Sequence, residues 1–195
     1  HLSQLTGFTS NSPVGPVFAR FNVGVTVFFV ITGYLLYRPW VAARLEGRPG
    51  PRIGRYVVRR LVRIMPAYWV ALVVLGLLLP GFVKDVFGSE WWVSFGLLQT
   101  YSYGWIFNGL RVTWSLSTEV AFYALLPLLA VVTANLFGRR ARPGQVRAEL
   151  WALAASAIAS IVLLKVALDG EWARTYANTI LGTWPWFVVG MMLAV

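Results

Sequence analysis

The sequence contains no cysteine, one histidine and seven acidic residues in 195. The missing cysteines exclude disulfides, thiolate metal sites and a thiol nucleophile together. A single histidine with seven carboxylates is a poor ligand supply for a metal, so no metal site is expected. Charged residues make up 12% of the chain, against roughly a quarter in soluble domains, while the apolar set supplies 58% and mean hydropathy is +0.66. That balance excludes both disorder and the surface of an ordinary soluble enzyme. The length suits one unit over residues 1–195, with no repeat, low-complexity tract or interior linker to divide it.

What charge there is has one dominant sign, +10 overall. In a soluble protein this would suggest nucleic acid as partner, but the placement argues for a lipid bilayer instead. Eight arginines fall between Arg38 and Arg63 and four between Arg139 and Arg147, while the apolar runs between them are nearly uncharged. Basic cytoplasmic loops between membrane spans produce this pattern.

Five stretches approach the roughly 20 apolar residues that a crossing needs: Phe21 to Tyr37, Ile64 to Val83, Val112 to Phe137, Leu150 to Leu168 and Tyr176 to Val195. The expected fold is an all-α polytopic membrane bundle of about five spans. Trp91 to Phe107 is apolar but carries Ser94, Gln99, Thr100 and Ser102. Both arginine-rich segments belong on one side, and the flanking spans already satisfy that parity, so this stretch reads as a re-entrant or short helix. Residues 38–63 then form a cytoplasmic arginine-rich loop and residues 1–20 an outer loop. The chain begins without an initiator Met or a signal peptide, and reads as a piece that starts part-way through a protein.

Several residues are candidates for chemistry. Arg52, Arg55, Arg59 and Arg63 recur at spacings of three and four, one stripe of a helix. Such a stripe suits anionic lipid headgroups, and Arg59, Arg60 and Arg63 equally suit the phosphates of a nucleotide-bearing substrate such as coenzyme A. Glu119 lies seven residues into a span, where a carboxylate is costly unless paired or facing a polar cavity. Its alternatives are an ion pair through Arg111 or Arg20 and a functional role. Ser115 and Tyr123, four residues to either side, share its face. His1 is the one side chain that ordinarily titrates near neutrality and is the natural proton acceptor, although a terminal histidine also reads as a frayed end. Lys165 is near enough to a span end to snorkel. Gly24, Thr32 and Gly33 suit close helix packing, and the tryptophans, Trp114 among them, suit membrane interfaces.

Four segments in order, GVTVFFVITGYLL, RRLVRIMPAYW, WSLSTEVAFYALLP and WFVVGMMLA, resemble the acyltransferase-3 family of membrane O-acyltransferases, without its first helix and its later helices. The resemblance implies a plasma-membrane enzyme. It implies transfer of an acyl group, commonly acetyl, from cytoplasmic acyl-CoA to a hydroxyl of an extracytoplasmic glycan, lipid or small molecule. It implies no bound cofactor. The family's general-base histidine matches His1, its Arg-x-x-Arg motif on the acyl-CoA side matches Arg60 and Arg63, and its tryptophan and acid match Trp114 and Glu119. Thr32 and Tyr34 replace a serine and a phenylalanine of the family pattern, and Val120 replaces a second glutamate. The alternative from another class is a transporter or flippase subunit with Glu119 and Lys165 as pathway charges. It predicts inverted repeats, which the sequence does not show.

Overall fold

A computed structural model describes residues 22–79, 86–101, 113–137, 142–166 and 176–195. Among these residues the chain is all-helical. The helices are α1 (Asn22–Leu45), α2 (Ile53–Leu78), the short α3 (Trp91–Phe95), α4 (Trp114–Phe137), α5 (Arg142–Val166) and α6 (Ile180–Met192). A 3-10 turn, Gln99–Tyr101, follows α3. The expected all-α bundle is what forms.

Helices α1, α2, α4 and α5 are long and apolar enough to cross a membrane. The stretch read as a fifth span contributes a shorter apolar helix among the described residues. It folds as the 13-residue α6, roughly 20 Å long against a hydrocarbon layer of about 30 Å. Its start is set by Thr179, whose hydroxyl accepts from the Leu181 amide and ends the preceding turn as an N-cap.

The supposed arginine-rich loop over 38–63 is mostly helix. Helix α1 continues through Pro39 to Leu45 and α2 begins at Ile53, leaving only residues 46–52 as the connection. Hydropathy marks where a helix leaves the apolar layer, whereas backbone hydrogen bonding carries it on into charged sequence. In the Trp91 to Phe107 stretch, the described part is α3 and the 3-10 turn, too short to span. Leu97 takes a left-handed φ of 57° between them. Its buried side chain and a 2.6 Å hydrogen bond from the Ser117 hydroxyl to its carbonyl hold the turn against α4. His1, the outer loop over 1–20 and residues 102–107 lie outside the described residues.

The main core joins α1, α4 and α6. Phe122 stacks on Phe187 at 4.1 Å between ring centroids, and Phe29 meets Phe187 at 4.7 Å. A smaller core of Tyr68, Leu72, Val86 and Leu97 attaches α2 to the 86–101 segment. Large apolar side chains on the outer faces, such as Val62, Leu77, Leu128, Trp151 and Val166, are exposed. Lipid is an equally apolar surrounding for such residues, so close backbone approach rather than burial from water has to hold the helices together. Gly33 and Gly190 provide that approach between α1 and α6. A Cβ at Gly190 would collide with the Val30 carbonyl oxygen and sit 2.7 Å from the Tyr34 nitrogen, and one at Gly33 would collide with the Phe187 carbonyl. Gly24, grouped with Gly33 by sequence, has open space around it.

Because the obstructing atoms are backbone, the helices must separate to admit a side chain. Gly190→Ala is expected to cost about 1–3 kcal/mol or more, read as a lowered unfolding midpoint in detergent. Gly24→Ala is expected to leave it unchanged, and equal effects at the two positions would contradict the packing account.

Candidate functional site

Helix α2 begins without help from its own sequence. Arg52 at its N-cap makes no side-chain cap, and no acidic residue occupies the first turn. The unpaired amides and the positive end of the helix dipole therefore favour an anion there. The sequence instead adds cations. Arg52, Arg55, Arg59 and Arg60, with Pro51 and Tyr56, form one side of a groove of about 430 Å³, whose other wall is Leu36, Pro39 and Trp40 of α1. None of these four arginines has a carboxylate within ion-pair distance among the described residues. The Arg44 and Arg48 guanidiniums pair with Glu149 and Glu46, so the groove arginines stand apart. Arg52 and Arg55 sit at the positive end of the helix dipole, and the four guanidiniums along the groove repel one another until an anion enters.

The groove ends against α4. Tyr56 packs edge-on between Trp40, at 6.0 Å, and Tyr123, at 6.5 Å. The Arg60 guanidinium lies 5.9 Å from both tyrosine ring centroids. Arg60 faces inward with its stripe of Tyr56, Ile64 and the buried Tyr68, at intervals of four, whereas Arg59 and Arg63 are exposed. Behind Tyr123 lies Glu119, 8% exposed, which accepts a hydrogen bond from the Tyr123 hydroxyl. Arg63 and Arg60 both act on the Glu119 carboxylate through space.

The candidate residues from the sequence therefore separate. Arg59 and Arg60 line the groove, and Glu119 and Tyr123 form a bonded pair behind it. Arg63 lies outside the lining but within the field of Glu119. Ser115 is half-buried and makes no hydrogen bond with a described residue, although it shares a helix face with the pair. Trp114 packs edge-on against Phe29 at 6.2 Å. Ser117 and Thr118 take the buried polar positions on α4: Ser117 bonds Thr100 and the Leu97 carbonyl, and Thr118 bonds the carbonyls of Trp114 and Asn178. Lys165 is exposed at the end of α5, as snorkelling requires. Among the described residues no cluster of His, Asp or Glu suits a metal ion.

The profile of an acyltransferase domain, that of the acyltransferase-3 family, matches residues 1–195. The chain belongs to the acyltransferase-3 family. It is 27% identical to a peptidoglycan O-acetyltransferase of Listeria monocytogenes over 123 residues, 56% of this chain and 20% of that protein. It is 26% identical over 173 residues to a provisionally named O-acetyltransferase of Staphylococcus aureus, covering 80% of this chain and 27% of the relative. It is 28% identical over 177 residues to a provisionally named peptidoglycan O-acetyltransferase of Bacillus subtilis, covering 80% and 26%. The matched part is thus about a fifth to a quarter of each relative's length. No solved structure is significantly similar to the chain.

A second polar cluster escaped the sequence reading. Glu149 of α5, with no exposed surface, accepts from the Tyr37 hydroxyl and pairs with Arg44, both on α1. Thr133 of α4 joins them, 2.9 Å from Arg44 Nη1 and 3.3 Å from the Tyr37 hydroxyl. A weak signal was present, since Glu149 is the one acid between Glu119 and Asp169. Tyr37 and Arg44 bracket Trp40 along α1, so this cluster fixes the wall of the groove.

Proposed function

We propose that the chain is the donor-binding membrane part of an O-acetyltransferase that moves an acetyl group from cytoplasmic acyl-CoA to a hydroxyl of an extracytoplasmic glycan. Peptidoglycan is the favoured acceptor, because relatives carry that name. The reading rests on one observation: four arginines without carboxylate partners among the described residues line a groove that ends on Tyr123 and, behind it, Glu119. Coenzyme A brings phosphates for the guanidiniums and a long uncharged arm for the space beyond them. The basic groove then faces the cytoplasm across the plasma membrane, in keeping with the preference for positive charge inside.

The acceptor hydroxyl attacks the thioester carbonyl, so a C–O bond forms and the C–S bond breaks. The acceptor proton passes to a base, for which family resemblance implies His1, and coenzyme A departs as the thiol after taking up a proton. Glu119, fixed by Tyr123 and set in the field of Arg60 and Arg63, orients the base or binds the acceptor sugar.

Inverted membrane vesicles carrying the full-length protein test this with labelled acetyl-CoA outside. Native protein is expected to label glycan, and His1→Ala at equal expression to lose about a hundredfold or more of the rate, the usual weight of a general base. Equal labelling by both proteins would remove His1 from the mechanism. No labelling by the native protein would refute the donor reading itself.

A further inference from the structure

Tyr56 has a hydroxyl that its surroundings do not use. The ring is held between Trp40 and Tyr123 with Arg60 above it, so phenylalanine would fill the same space. The hydroxyl oxygen is nevertheless buried and has no hydrogen-bond partner among the described residues. The other buried tyrosines are all satisfied: Tyr37 donates to Glu149, Tyr68 to the Ser94 carbonyl at 2.5 Å, and Tyr123 to Glu119. Burying a hydroxyl unpaired is costly, and native structures rarely do it without a reason such as a ligand that completes the bond.

The chemistry of the groove says what that partner must be. Its other polar side chains are four arginines and Trp40, all of them donors with no acceptor to offer. The Tyr56 hydroxyl therefore needs an acceptor oxygen that arrives with the ligand. Phosphates are drawn to Arg52 and Arg55 at the helix start, whereas the Tyr56 ring packs on Tyr123, where an arm beyond the phosphates has to pass. We infer that the Tyr56 hydroxyl donates a hydrogen bond to a carbonyl oxygen, amide or thioester, on the arm of the acyl donor. The bond sets how far the acyl carbon reaches toward the Tyr123–Glu119 pair. The assignment rests on the groove being the donor site.

Tyr56→Phe removes the hydroxyl and keeps the ring. Equilibrium binding to the full-length protein in lipid nanodiscs is compared for two probes, acetyl-CoA and 3′-phosphoadenosine 5′-diphosphate, the latter carrying the phosphates without the arm. Tyr56→Phe is expected to weaken acetyl-CoA binding about fivefold, one hydrogen bond's worth, and to leave the diphosphate unchanged. The ligand-free variant is expected to unfold at the same or a higher temperature than the native protein, because a buried unpaired group has been removed. Unchanged acetyl-CoA binding, equal weakening of both probes, or a lowered unfolding temperature would each overturn the assignment. If the native protein binds the diphosphate and only the Tyr56 effect is missing, the groove stands and the hydroxyl role falls. If it binds neither probe, both fall.

Discussion

Arg60→Gln is expected to lower acetyl transfer by about one to two orders of magnitude at subsaturating acetyl-CoA. Among the described residues Arg60 is the one groove arginine that also lies over the Tyr123 ring, so its loss removes a charged donor to the proposed acyl-CoA ligand and a cation from the field of Glu119. A hydrogen bond to a charged group is worth about 1.5–3 kcal/mol, and each 1.4 kcal/mol is about tenfold. Arg60→Lys is expected to recover only part of the rate, since a point charge reproduces neither the planar fork nor the stacking over two rings. Arg63→Gln, outside the groove lining, is expected to act more on the turnover number than on the KM for acetyl-CoA. Initial rates across acetyl-CoA concentrations separate the two. A native rate for Arg60→Gln would contradict the groove's role.

Glu149→Ala is expected to be strongly destabilising, by about 3 kcal/mol, because it leaves Arg44, a part-buried cation, without its counter-charge. It also removes the acceptor of the Tyr37 hydroxyl, a fully buried group. Arg44→Met combined with Glu149→Leu is expected to return most of the lost stability, since replacing a whole buried pair with apolar groups is far less costly than breaking it. Denaturant unfolding of the three proteins in the same detergent measures this. A Glu149→Ala protein as stable as native, or a double variant less stable than the single one, would contradict the account. Because Tyr37 and Arg44 hold the stretch of α1 that carries Trp40, the surviving folded fraction of Glu149→Ala is also expected to show a raised KM for acetyl-CoA.

The features legible in the sequence were those with a local signature. Apolar run length located α1, α2, α4 and α5, and spacings of three and four put the arginines on a stripe and Tyr123 over Glu119. The illegible features depend on partners far away in the chain. Glu149 and Tyr37 are 112 residues apart, and no periodicity in either helix announces the other. The inward turn of Arg60, rather than Arg59 or Arg63, follows from which face of α2 meets α4, and its own helix does not decide that. Tyr56 drew no attention beside five arginines, since a missing partner can be recognised only once the neighbours are placed. Helix ends differ from the apolar runs for one reason: hydropathy reports the apolar layer, so the runs stop at Tyr37 and resume at Ile64, where the helices reach Leu45 and start at Ile53.

The most direct test of the central claim is photo-cross-linking of an acyl-CoA analogue with a photoreactive acyl group, followed by peptide mapping of the full-length protein in its native membrane. The account predicts adducts, suppressed by excess acetyl-CoA, on the peptides carrying Leu36 to Trp40, Pro51 to Arg60 and Glu119 to Tyr123. Competed adducts confined to other segments, such as the outer face of α5 around Trp151 and Ile158, would contradict it.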